Sequence, residues 1–428
     1  MRVLVLATTT GYQTRAFGEA AQRLGVELVF ATDRCHLIED PWRDGAIPIR
    51  FYDEEASVQA IVAAAAARPI DGLVAVGDRP TVIAATAASE LGLPWHSVEG
   101  AATARNKLRT RERLRDAGLP VPWFTSFSIA DAIADLPISQ SPIPILFPCV
   151  VKPVALSASR GVMRTDDAES LRAAVERLRS LVAAPDIRAE RDDAHETALV
   201  EGFIPGGEYA IDAVMHRGTI VPIAIFDKPD PLDGPFFEET IYVTPPALSA
   251  SVQDAIVDAV ARAAVAIGLH HGPIHAECRV NPANVYVLEV AARPIGGLCA
   301  RALSVRIPDA DDLISYEEAV LRHALGTSPI GWRREQRASG VMMIPIPRRG
   351  VLRGVEGVDD ARAVAGVDDV RITAKPDQVL VPLPEGASYL GFIFAHADRA
   401  ADVERALRAA HAHLRFAIDP EFRVRPSG

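Results

Sequence analysis

Lysine is nearly missing from this chain. Of its 45 basic residues only four are lysines: Lys107, Lys152, Lys228 and Lys375. A coding bias toward arginine explains the scarcity itself. A lysine that survives such a bias marks a place where a compact ammonium is wanted rather than a planar fork. Cysteine is sparse too. Cys35, Cys149, Cys278 and Cys299 lie far apart with no CxxC pair, and they read as buried thiols of a reducing cytosol, so a cytoplasmic location is expected. No apolar run approaches the ~18 residues of a membrane helix. The N-terminal MRVLVLATTTGYQT lacks the apolar core and cleavage site of a signal peptide. The net charge is -11 and no basic block occurs, which excludes a nucleic-acid groove. The first strand-to-helix turn, ATTTGYQT, is not GxGxxG, and no GK dipeptide occurs, so neither a dinucleotide fingerprint nor a Walker motif is present.

What is present is ordinary globular composition, 49% hydrophobic over 428 residues, enough for two to four domains. Residues 1–100 alternate apolar strands (RVLVLATT, VELVFATD, DGLVAVGD and the short LPWHS) with helical patterns such as TRAFGEAAQRLG. This predicts a Rossmann-like parallel sheet covered on both faces. Thr8 to Gly11, Asp33 and Asp78 stand at its strand ends, where ligands bind in such folds and where turn and cap residues also sit. Residues 101–185 and 186–330 read as two α+β lobes, with 230–246 an irregular loop, and 331–428 as a small α+β domain.

The chemistry concentrates in HAECRVNPANVYVLEVAARPIGG, from His275 to Gly297. Two strands flank the turn NPAN. A hairpin centred there sets residue 277 opposite 288, so a one-residue shift or a bulge brings Glu277 and Glu289 face to face. Two readings stand: carboxylates holding a hard cation, or edge-strand acids facing water. Arg293 follows, either to meet an anion or developing oxyanion or to pair with Glu289. Lys152 ends the strand PCVVK, and Ser157 to Gly161 form a small-residue loop suited to phosphate. Lys107 lies on a charged helix, solvated or again a phosphate ligand. In VEGFIPGGEYAID, Glu201 ends a strand and Glu208 begins the next, and a carboxylate at such a junction either takes both hydroxyls of a ribose or is an ordinary strand-end acid.

The order of these features resembles the ATP-grasp superfamily over roughly residues 1–330. It runs lysine; strand-lysine-proline and small-residue loop; E-x-F-I-x-G-x-E-Y; H-x-E; E-x-x-x-R-x-x-G. SASRGV, EVAARPIGG and the C-terminal piece are most similar to the L-amino acid ligases that make dipeptides. The resemblance implies an ADP-forming carboxylate–amine ligase working through an acyl phosphate, with ATP and Mg²⁺ or Mn²⁺. Its partners would be small carboxylate and amine substrates, with neither nucleic acid nor membrane, and a homodimer is among the expectations. Lys107 and Lys152 would contact phosphates under a lid that includes Ser157, Ser159 and Gly161. Glu201, Gly202, Phe203 and Ile204 would form the adenine hinge, and Glu208 would bind ribose. Glu277 and Glu289 would hold metal. Arg293 and Glu239 would be catalytic. Ala291 replaces the asparagine of many relatives, and Tyr242 stands where some dipeptide ligases have histidine, so the base is left unassigned. Other ligases of the superfamily, phosphoryl transfer to a hydroxyl and a non-catalytic nucleotide binder are the alternatives.

Overall fold

The computed structural model describes residues 1–8, 13–33, 46–130, 145–308 and 312–421; Thr9 to Gly11 and Cys35 lie outside them. The first sheet is parallel, in the spatial order Ile47–Pro48, Glu27–Thr32, Arg2–Ala7, Gly72–Val76. Its strands are continuous apolar runs because both faces are covered. Leu4, Leu6 and Leu73 pack under Glu54–Ala67 and Thr81–Leu91. Val3, Val5 and Val74 face a core shared with Phe226, Tyr242 and Leu321 of the later chain. Burying one such side chain contributes about 1.5–3 kcal/mol, so the first sheet is welded to the later lobes. LPWHS forms no strand. Trp95 is buried against the first sheet's core, and His96 takes its polar partners, Pro273 O and the His270 N–H, from the later chain rather than from a sheet ladder.

The second sheet is antiparallel, in the order Phe124–Ser128, Thr197–Gly202, Cys149–Pro153, Met163–Thr165. Thr197–Gly202, read from sequence within 186–330, belongs here. Its Ala198 and Val200 share a core with Cys149, Val151 and the Leu171, Val175 and Leu178 face of helix Ala168–Val182. Residues 185–196 hold two short helical turns, Pro185–Arg188 and Asp193–Glu196.

The largest sheet has eight strands, ordered Val285–Ala291, Gly272–Val280, Gly207–His216, Thr219–Asp227, Ile241–Thr244, Ala338–Ile344, Gly391–Ala397, Val367–Ile372. Ile241–Thr244 lies inside the segment expected to be irregular. It is four buried residues long, too short for periodicity to register. It pairs Thr219–Asp227 on one side and Ala338–Ile344 on the other, so the C-terminal α+β segment continues the central sheet. Helix Ala400–His413 covers this end with Val403, Leu407 and Ala410. Among the described residues no helix is long and apolar enough to cross a membrane.

Candidate active site

Glu277 and Glu289 are direct cross-strand partners, with a bulge between Glu277 and Cys278 that supplies the needed shift. Their side chains then diverge in partner. Glu289 meets Lys107, Nζ to Oε2 at 3.3 Å. Glu277 joins Glu208 and Glu239, whose carboxylate oxygens gather within 4.8 Å of one another. Lys228 Nζ sits among the three, donating to Glu208 at 2.9 Å, to Glu277 at 3.0 Å and to Glu239. Burial opposes a charged Lys228, but the three carboxylates outweigh it and raise its pKa well above the ordinary value. Burial and the adjacent Glu277 push the Glu239 carboxyl up to about 8. Glu277 goes the other way: Lys228 and the proton-bearing neighbours His275 and Glu239 overcome burial and hold it well below the usual range. The pair therefore shares one proton, carried by Glu239. The donors are all carboxylate oxygens, which fits a hard divalent cation such as Mg²⁺.

Behind Glu277, His275 Nδ1 lies 3.2 Å from Asp212. Despite burial, Asp212 and then Glu277 raise His275 to about 9. Asp212, fully buried, also accepts from Tyr316 Oη at 3.0 Å and the Ile295 N–H at 3.2 Å. Arg279 binds the second oxygen of Glu208 at 3.0 Å and Ile204 O at 2.8 Å. Glu208 is thus clamped between two cations.

On the opposite wall, Lys152 Nζ lies 2.5 Å from Glu201. Arg111 grips both oxygens of that carboxylate at 2.7 and 3.2 Å. Burial would raise Glu201, but Arg111 and Lys152 lower it to about 2. Burial lowers Lys152 to about 8, with Arg111 and Lys107 adding to it against the pull of Glu201. A polyanion arriving here would raise it again. Lys107 opens helix Lys107–Asp116, which Asn106 caps by accepting from the Arg109 N–H at 3.0 Å. A cation at the positive end of a helix is unfavourable, and Glu289 offsets it here. The loop beyond Lys152 carries Ala158 and Ser159 at φ 55° and 53°, a conformation non-glycine residues seldom adopt.

Arg293 completes the ring. Its Nε and Nη2 donate to the two oxygens of Asp78 at 2.9 and 3.2 Å, not to Glu289. Burial acts against its charge, but Asp78 raises its pKa further.

These walls enclose a cavity of about 330 Å³. Lys107, Lys152, Ser157 and Ser159 line it, as do Glu201 to Ile204, and so do Glu208, Glu239, Glu277, Glu289 and Arg293. Gly161 does not. It turns at φ +75° under Leu178 and Leu181 and gives its N–H to Pro384 O at 2.8 Å.

Three families match the chain: "ATP-grasp domain" over residues 145–302, "ATP-grasp N-terminal domain" over 18–95, and "L-amino acid ligase C-terminal domain 2" over 342–419. D-alanine–D-alanine ligase of Gloeobacter violaceus is 31% identical over 54% of this chain and 72% of its own length. The chain belongs to the ATP-grasp ligases. Carnosine synthase 1 of Gallus gallus is 28% identical to 78% of this ATP-grasp chain, which spans only 37% of that protein's length. A crystal structure of L-amino acid ligase from Bacillus licheniformis superposes with a TM-score of 0.77 at 26% identity, over 98% of both chains.

Sequence reasoning assigned no role to five groups of this ATP-grasp site: Lys228, Arg111, Asp212, His275 and Arg279. Lys228 could have been found, since it is one of only four lysines and directly follows a strand. Arg111 was hidden among the arginines of its helix. The Asp212–His275 contact joins residues whose strands had not been aligned. Tyr242 does enter the site, its hydroxyl 3.3 Å from Glu277 and its ring 5.0 Å from Lys228 Nζ. Burial and Glu239 raise its pKa well above the ordinary phenol value, which leaves it a poor proton acceptor at neutral pH.

Proposed function

We propose that this protein joins the carboxylate of one amino acid to the amine of another, splitting ATP to ADP and phosphate through an acyl phosphate. The observation that carries this reading is the facing arrangement of charge in one cavity. Two lysines and a loop with left-handed backbone lie on one wall, and an all-carboxylate cluster with Arg293 lies on the other. A nucleoside triphosphate would lie between them. The similarity to L-amino acid ligase and D-alanine–D-alanine ligase supports amino acids as the substrate class.

Lys107 and Lys152 would neutralise phosphate oxygens and lower the repulsion between an incoming carboxylate and the nucleotide. Glu201 holds the Lys152 ammonium in place, and Arg111 holds Glu201. Glu277 and Glu289, with Glu239 beside them, would hold Mg²⁺ or Mn²⁺, which supplies charge neutralisation at the phosphates. Arg293, aimed by Asp78, would face the oxyanion that forms when the amine attacks the acyl group. The 157–161 loop would exclude water, which would otherwise consume the acyl phosphate. Glu239 would give up its own proton when a cation binds beside it, and is then the candidate to take the proton of the attacking amine.

The test is incubation with ATP, Mg²⁺ and pooled L-amino acids, with Glu289→Gln as the control. ADP, phosphate and a new mass equal to two amino acids less water support the reading. AMP with pyrophosphate would overturn the acyl-phosphate route.

A further inference from the structure

Far from the nucleotide cavity, three histidines from three separate elements meet. His216 ends strand Gly207–His216, His271 precedes strand Gly272–Val280, and His323 lies in the last turn of helix Tyr316–Ala324. One ring nitrogen from each falls within 4.8 Å of the others. Glu208 begins the same strand that His216 ends, so the two sites stand roughly 26 Å apart at the rise of an extended strand. His216 Nδ1 is 3.1 Å from His323 Nε2, and the His271 ring stacks on His323 with centroids 4.2 Å apart.

His216 and His323 share one hydrogen bond, and His271 has none. His271 is 5% exposed, yet neither of its ring nitrogens has a partner. Buried polar atoms normally find one. Nearby His96 shows the contrast, with one ring nitrogen against Pro273 O and the other accepting from the His270 N–H. His323 is 2% exposed, while His216 is half-buried and opens the cluster to solvent. The charged neighbour Arg217 is exposed. Burial keeps His271 and His323 neutral, lowering them to about 4 and about 3, so neither has a proton to give up before ligating at neutral pH.

We propose that His216, His271 and His323 form a binding site for a borderline first-row divalent cation, with Zn²⁺ the fitting ion and water in the fourth position. Imidazole suits zinc and does not suit Mg²⁺, so this site and the carboxylate cluster would select different metals. Binding requires His271 to turn out of its stack and direct a nitrogen to the point shared with the other two. The ion would then brace the junction between the first sheet and the central sheet. There the backbone of Gly72 runs so close to Ala324 that a β-carbon would sit 2.6 Å from Ala324 O.

The experiment uses the tag-free full chain, with Zn²⁺ as the probe and Mg²⁺ in millimolar excess to occupy the carboxylates. Titration calorimetry is expected to show one Zn²⁺ per chain and a raised melting temperature. Co²⁺ should give the visible absorption of a four-coordinate nitrogen site. His216→Gln and His271→Gln should each weaken binding at least about tenfold while leaving ATP turnover in place. His216 is half-exposed, so His216→Gln carries the test should the buried substitution unfold the chain. No Zn²⁺ binding under excess Mg²⁺, or binding that His216→Gln leaves unchanged, overturns the proposal.

Discussion

Asp78 and Arg293 grip each other through two parallel hydrogen bonds, at 2.9 and 3.2 Å, across 215 residues of chain. Asp78 stands just past the end of strand Gly72–Val76 of the first sheet, and Arg293 just past the end of strand Val285–Ala291 of the central one. The pair therefore aims a guanidinium into the cavity from outside its own lobe. Arg293→Ala is expected to slow formation of the condensed product about 10²- to 10³-fold, the usual cost of losing one oxyanion donor. Asp78→Asn keeps the guanidinium and loses only its orientation, so a smaller loss of roughly tenfold is expected. Nucleotide affinity, read by ADP calorimetry, should hold in both. A fall in ADP binding as large as the fall in rate would contradict an orienting role.

Lys228 is the buried cation among three acids, Glu208 buried and Glu239 and Glu277 half-buried. Lys228→Met leaves those acids without it. Breaking a buried ion cluster by removing one partner costs about 3–5 kcal/mol, and urea denaturation should show a loss of that size. Mg²⁺ should restore part of it, because a bound cation replaces the missing charge. Unchanged stability in metal-free buffer would show that the acids are better solvated than their burial implies.

The raised Glu239 carboxyl predicts a pH dependence with a definite sign. Its folded value is about 8 against an ordinary 4.5. Between those values the folded chain holds a proton that the unfolded chain has lost. Stability from this group is full below about 4.5 and falls as pH rises toward 8. Glu239→Gln should flatten that limb of the stability profile. Mg²⁺ binding at pH 7 should also release up to about one proton, visible as a buffer-dependent heat that Glu239→Gln abolishes.

The 157–161 loop is tied to the C-terminal segment. Arg160 Nε donates to Glu385 O at 2.8 Å and its guanidinium pairs with Asp186 at 2.8 Å, while Arg177 Nη2 binds Glu385 Oε2 at 2.9 Å. Arg160→Ala should loosen the loop and admit water. ATP hydrolysis without product should then rise severalfold relative to ligation, measured as phosphate released per condensed product. An unchanged ratio would show that the loop closes without this anchor.

Much of the site is legible along the chain because its parts are local. NPAN between two apolar runs dictates a hairpin, and a bulge then sets Glu277 opposite Glu289. Lysine scarcity singles out Lys107 and Lys152, both of which line the cavity. Lys228 carried the same signal. Its meaning lies in three acids spread from residue 208 to 277, which only the sheet brings together.

The sequence by itself determined most of the alternation of strands and helices in the first hundred residues, LPWHS excepted, with the hairpin, the lysine-and-loop pairing and the order of charged motifs. Each arises from local periodicity, turn chemistry or residue type. The tertiary structure decided the rest. It turned Arg293 toward Asp78 rather than Glu289, moved Thr197–Gly202 into the second sheet, and inserted Ile241–Thr244 so that the C-terminal strands extend the central sheet. It also gathered three histidines at that sheet's far end. These contacts join residues tens to hundreds of positions apart. Which of them form depends on which apolar faces bury one another, and that is a property of the packed whole.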